Sequence, residues 1–213
     1  MKYNPNLHHR RSIRLRGYDY SQDGFYFVTI CVQNRQCLFG EIMGGEMKLN
    51  DAGKMINQTW DEIPKFYDGF GCHEFIVMPN HIHGTIEIVG AGPRACPDNM
   101  EPPMEPPMEP PKIGQPQGVA PTMSLSDIVH RYKTLTTKRY TDGVKNNNWQ
   151  RFDKKLWQRN YWEHLIRNEN EFNRISDYIK TNPLKWNNDQ LNGGGGNMVM
   201  ETPSFYNKEI WMV

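Results

Sequence analysis

Apolar residues along this chain fall into short alternating runs and longer helical stripes. "GFYFVTICV" (24–32) is rich in aromatic and β-branched residues and predicts a strand. "CLFGEI" (37–42) and "EMKLN" (46–50) flank Gly44-Gly45 and predict a hairpin. Residues 50–66 predict a helix: Asn50 or Asp51 can cap it, and Met55, Ile56, Trp60 and Ile63 follow helical spacing. "CHEFIVM" (72–78) predicts a further strand, Pro79-Asn80 a tight turn, and 81–89 a strand returning antiparallel. In that last strand Ile82, Gly84, Ile86 and Ile88 face one way, and His81, His83, Thr85 and Glu87 face the other.

Beyond residue 89 the pattern stops. Residues 90–122 carry "EPPMEPPMEPPK", where proline fixes φ and removes donors, so an extended, flexible insertion is expected. Order resumes at 124–140, a helix capped by Ser124 or Ser126 with a stripe of Leu125, Ile128, Val129, Tyr132 and Leu135. Residues 154–166 read as extended and aromatic. Residues 168–183 read as a helix: Asn168 and Glu171 resemble a capping box, Phe172, Ile175 and Ile179 form its buried stripe, and Pro183 ends it. The order predicts an α+β domain with an antiparallel sheet and a ferredoxin-like core, built from residues 1–89 and 123–186 as one unit. Residues 187–213 form a Gly-rich joint and a tail.

Net charge of +1 by itself argues against a nucleic-acid partner, but its distribution is compatible with phosphate contacts. Residues 1–18 hold Lys2, Arg10, Arg11, Arg14 and Arg16 and no acid, while 124–167 hold ten Lys or Arg against four acids. Two local basic surfaces suit phosphate contacts, with solvated faces as the bland alternative. No apolar run approaches the roughly 20 residues of a spanning helix, and the N-terminus lacks the apolar core of a secretory signal. Cys31, Cys37, Cys72 and Cys96 form no CxxC pair, so a cytoplasmic protein with reduced thiols is expected.

Two imidazoles on one strand face form either a partial divalent-metal site or a coincidence on a solvated sheet. Tyr178 lies one position from the buried stripe of its helix, and Asn182 follows one turn later on the same edge. On these residues alone, Tyr178 could equally be a packing residue and Asn182 a C-terminal cap.

"HIH" after "MPN", with "RISDYIKTNP" later, resembles the single-tyrosine HUH transposases, in which U is a bulky apolar residue, here Ile82. "RRSIRLRGYDYSQDGFYFVTICVQNR", "SLSDIVHRYKT" and "LWQRNYWEHLIRNE" are similar to the REP-associated tyrosine branch of that family. The likeness runs from about residue 10 to 186, interrupted by the proline segment, which the family pattern does not include. It implies a nuclease and strand transferase acting on single-stranded DNA with a hairpin and flanking guide nucleotides. It places the metal histidines at His81 and His83, the nucleophile at Tyr178 and a third ligand at Asn182, with Mg²⁺ or Mn²⁺ as cofactor. Arg10, Arg11, Arg14, Arg16, Arg131, Lys133, Lys138 and Arg139 would then serve DNA phosphates, and Trp157 or Tyr161 would stack on bases. Tyr161, close to His164, is the rival nucleophile. Two further readings stay open: a domesticated hairpin binder that does not cut, and a water-using metal hydrolase with Glu87 or Glu74 as ligand. Monomer and homodimer are equally compatible with the sequence.

Overall fold

A computed structural model describes residues 18–89 and 123–192. The basic arm with Arg10, Arg11, Arg14 and Arg16, the proline segment 90–122 and the Gly run 193–196 lie outside the described residues.

Strands β1 (Gly24–Cys31), β4 (Phe70–Val77), β5 (His81–Ile88) and β6 (Trp162–Ile166) form one sheet in the order β4-β5-β1-β6, every neighbouring pair antiparallel. With α1 (Asp51–Glu62) between β1 and β4, and α2 (Leu125–Asn146) between β5 and β6, this is the ferredoxin-like βαββαβ arrangement. The hairpin β2 (Gly40–Met43) and β3 (Glu46–Leu49) turns through Gly44 and Gly45, both at positive φ, and is inserted before α1. Helix α3 (Glu169–Thr181) follows β6.

The caps follow the sequence. Asn50 Oδ1 accepts the Gly53 N–H at 2.8 Å, and Ser124 with Asp127 closes a reciprocal capping box. At α3, Asn168 Oδ1 accepts the Glu171 N–H, but the box is not reciprocal. The Glu171 carboxylate instead accepts the Arg167 N–H at 2.7 Å and the His164 Nε2–H at 2.8 Å. Helix α2 runs to Asn146, a turn and a half beyond the expected end, because Tyr140 and Gly143 still bury against the core. Residues 154–166 form strand only from Trp162; earlier, the pairing is a single bridge from Val32 to Trp157.

Strand parity splits the molecule into two layers. Tyr26, Val28, Ile30, Ile82 and Ile86 pack against Ile56, Trp60, Ile128 and Tyr132 of α1 and α2. Gly84 belongs to this face, where a Cβ would come within 2.5 Å of the Trp60 ring, itself stacked on Phe75. On the opposite face Phe27 and Ile166 pack against Ile175 and Ile179 of α3, with Phe25 and Phe172 at the margin. A bulge between Cys72 and Phe75 distorts β4 where Glu74 pairs with Lys180 of α3 at 2.9 Å. The His-bearing side of β5 is therefore covered by a helix, and the solvated-sheet alternative fails: His81 is 0% and His83 2% exposed.

Candidate active site

Cross-strand register builds this site first. On β1, Thr29 pairs with His83 and Cys31 with His81. The Thr29 Oγ1 lies 2.7 Å from His83 Nδ1. At the β4–β5 turn, Asn80 donates its amide N–H groups to the Leu191 carbonyl at 2.7 Å and the Arg35 carbonyl at 3.2 Å. Its Oδ1 is thereby left to accept the His81 Nδ1–H at 2.8 Å, which leaves a lone pair on His81 Nε2. That atom lies 3.1 Å from His83 Nε2.

Burial holds both imidazoles neutral. It pushes His83 down to about 3, and it pushes His81 well below the ordinary histidine range, helped by His83 and Arg35. Neutral imidazoles are the ligating form. Two ligand atoms about 2.1 Å from one ion and at right angles sit about 3.0 Å apart, which the Nε2 pair matches. Without a cation, His83 must donate its Nε2–H to His81 while Thr29 donates to His83 Nδ1; with one, Thr29 accepts instead. A hydroxyl serves either tautomer. Cys31 shares this face, but burial pushes its thiol up to about 12, so it supplies no thiolate at neutral pH.

Helix α3 brings the third element. Its apolar stripe, Ile175 and Ile179, seats on Phe27 and Ile166, which aims Tyr178 along the sheet. The Tyr178 phenol oxygen lies 3.3 Å from His83 Nε2. Phe27 stacks on His83 with centroids 5.4 Å apart and meets Tyr178 edge-on at 6.0 Å. Asn182, one turn on, is 2% exposed, and its Oδ1 has no hydrogen-bond partner among the described residues. A buried, unpartnered amide oxygen at the end of the helix that carries Tyr178, with two neutral imidazoles whose Nε2 atoms lie 3.1 Å apart, fits a divalent cation. Among the described residues, no three of His, Cys, Asp and Glu already converge as a complete cation cage.

Sequence alone missed several residues here. Thr29 and Asn80 orient the imidazoles, but their roles depend on strand register, which has no sequence signature. Trp186, in a 3-10 helix at Asn182–Asn188, covers His81 with centroids 6.1 Å apart. Asp189 follows, its Oδ2 3.9 Å from His81 Nε2. Burial pushes its carboxyl above the ordinary range, opposed by the Leu191 N–H and Arg35.

The expected DNA contacts are mostly not brought to this face. Trp157 is 5% exposed and donates its indole N–H to Thr136, so it is a core residue and not a stacking platform. Lys133 donates to the carbonyls of Gln158, Arg159 and Asn160, and Arg139 bonds Glu62 and Thr59, which commits both cations to holding the fold. Arg131 lies 4.4 Å from the centre of the Tyr67 ring, while Lys138 is exposed. All four sit on α2, across the sheet from the histidines. Tyr161 packs against the α1–α2 core, away from the imidazoles. Glu87 bonds His73 and Glu74 pairs with Lys180, so neither carboxylate is directed to the histidine pair.

The family profile described as Transposase IS200 like matches residues 118–182, a segment that ends on Asn182. An uncharacterized protein of Haemophilus influenzae is 40% identical over 190 residues, covering 89% of this chain and 97% of the relative. A second protein of that organism, provisionally named REP-associated tyrosine transposase, is 24% identical over 170 residues, covering 78% of this chain and 74% of its own length. Among solved structures, a REP-associated tyrosine transposase bound to a REP hairpin aligns with a TM-score of 0.47 at 19% identity, covering 82% of this chain and 74% of that one. A protein of Deinococcus radiodurans provisionally assigned as a transposase aligns with a TM-score of 0.39 at 16% identity, covering 79% and 96%. Residues 118–182 thus carry the IS200-like transposase profile, and the chain is similar over most of its length to a protein provisionally named REP-associated tyrosine transposase.

Proposed function

We propose that this chain cleaves and rejoins single-stranded DNA near hairpins through a covalent tyrosine intermediate. The observation that carries the reading is the 3.3 Å approach of the Tyr178 phenol oxygen to His83 Nε2, between residues 95 positions apart. His81, His83 and Asn182 would hold Mg²⁺ or Mn²⁺. Such an ion, when bound, supplies polarisation of the scissile phosphate and offsets charge developing on its oxygens.

The chain's own residues do the remainder. Asn80 fixes the His81 tautomer, Thr29 holds the His83 ring in either tautomer, and the α3 stripe sets the phenol beside His83. A free phenol titrates near 10, so a tyrosine nucleophile needs its charge stabilised as it loses its proton. Attack by the Tyr178 oxygen on phosphorus forms a 5′-phosphotyrosine ester and breaks the bond from phosphorus to the 3′-oxygen. The phenol proton passes to solvent, and the departing 3′-oxygen takes up a proton from solvent to become a hydroxyl. Because the ester conserves the phosphodiester bond, that hydroxyl can attack it later and rejoin strands. The REP-associated name of one relative supports a hairpin-bearing strand as substrate.

The test is incubation of the full chain with labelled hairpin-bearing single strands and Mn²⁺, followed by denaturing electrophoresis. A label that stays with the protein is expected from wild type and absent from Tyr178→Phe. A labelled adduct that persists in Tyr178→Phe would remove Tyr178 from the reaction.

A further inference from the structure

We propose that Asp189 supplies a carboxylate arm to the divalent-cation site, a role that rests on reading His81 and His83 as its imidazole ligands. Its place is built, not accidental. Asp189 Oδ1 accepts the Leu191 N–H at 2.7 Å, and its carbonyl accepts the Asn192 N–H at 2.9 Å. The Leu191 carbonyl is held by Asn80, the same side chain whose oxygen fixes His81. One amide thus ties the 189–191 segment to the ring of the first histidine. The Trp186 carbonyl accepts both the Asp189 N–H and an Asn192 side-chain N–H, which closes the turn.

With Oδ1 engaged, Oδ2 is the oxygen that faces His81 Nε2, at 3.9 Å, and the carboxylate side chain is only 14% exposed. Asn80 has already assigned the His81 proton to Nδ1. Two acceptor atoms therefore face each other across a gap too long for a hydrogen bond, and His83 Nε2 lies 3.1 Å from the same His81 atom. A cation placed between two acceptors would satisfy both. The donor chemistry agrees: Mg²⁺ and Mn²⁺ prefer oxygen, and two imidazoles with one amide oxygen carry no negative charge to hold them. Of the carboxylates weighed from sequence, Glu74 and Glu87 are paired elsewhere. Asp189 escaped notice because it sits after the last helical stripe, just before the Gly run.

The experiment is Mn²⁺ binding to the full chain without DNA, read by electron paramagnetic resonance of free Mn²⁺. Wild type, Asp189→Asn, Asp189→Ser and His81→Ala are compared, with folding checked by circular dichroism. Asparagine keeps an acceptor for the Leu191 N–H, so only the charge is removed. At least a tenfold loss of Mn²⁺ affinity in Asp189→Asn is expected, with a larger loss in His81→Ala. Affinity of Asp189→Asn within twofold of wild type, alongside lost binding in His81→Ala, overturns the role of Asp189 and leaves the histidine site standing. Wild-type affinity in His81→Ala overturns both. Hydrogen exchange on wild type removes dependence on any variant: Mn²⁺ is expected to protect both 81–83 and 189–192. Protection of 81–83 alone would overturn the proposal.

Discussion

Replacing Thr29 by Val keeps the shape and strand propensity of the side chain and deletes one hydroxyl. That hydroxyl is buried, with Thr29 and His83 each 2% exposed, and lies 2.7 Å from His83 Nδ1. Water cannot replace it without opening the interface with α3. In the cation-free chain the variant strands the Nδ1 atom of His83, and a buried polar atom left unsatisfied costs about 1–3 kcal/mol. In the cation-bound chain it removes the acceptor that holds the Nδ1–H tautomer. Loss of such a supporting contact weakens metal binding by roughly 10–100-fold. Urea denaturation followed by tryptophan fluorescence measures the first effect, and Mn²⁺ titration the second. Thr29→Ser, which retains the hydroxyl, is expected to preserve most of the Mn²⁺ affinity. A Thr29→Val variant with unchanged urea midpoint and unchanged affinity would refute the assignment of Thr29 as the partner that sets His83.

Other consequences are equally concrete. Gly84→Ala drives a methyl into the Trp60 ring at 2.5 Å and is expected to destabilise by roughly 1–3 kcal/mol in denaturant unfolding, with a wild-type midpoint contradicting that packing. Asn182→Ala removes the unpartnered oxygen and is expected to weaken Mn²⁺ binding by roughly tenfold; calorimetry showing equal affinity would exclude it as a ligand. Burial alone would raise the Glu171 carboxyl, but the Arg167 N–H and His164 outweigh it and hold it below its ordinary value. Its folded pKa is depressed, so its stabilisation is present above the unfolded carboxylate range near about 4 and is lost as pH falls through the folded value. The stability gap between wild type and Glu171→Gln should therefore narrow in acid, and thermal melts showing a gap that widens on acidification would reverse that sign.

The layers of this molecule were largely legible in its sequence, because β1, β5, α1 and α2 each carry an apolar stripe of the right period. The second core was not. Alternation in β5 implied a sheet with one wet face, although His81, His83 and Thr85 are all buried. The overlooked sign was Phe25 and Phe27 on the opposite parity of β1, apolar residues that needed the α3 stripe to cover them. Residue type also misled at Trp157, Lys133 and Arg139: an aromatic and two cations look alike in sequence whether they meet solvent or stitch loops to a core. The pairing of Tyr178 with His83 was placed by resemblance, and the contacts of Thr29, Asn80 and Asp189 required the register and the turn that only the folded chain supplies.

The most direct measurement is mass spectrometry of the covalent adduct formed with Mn²⁺ and a hairpin-bearing single strand. After trypsin and nuclease digestion, the nucleotide mass is expected on the peptide Ile175–Lys180, which contains Tyr178. Nucleotide on Asn160–Arg167, the peptide of Tyr161, or strand cleavage that leaves no modified tyrosine, would contradict the central claim.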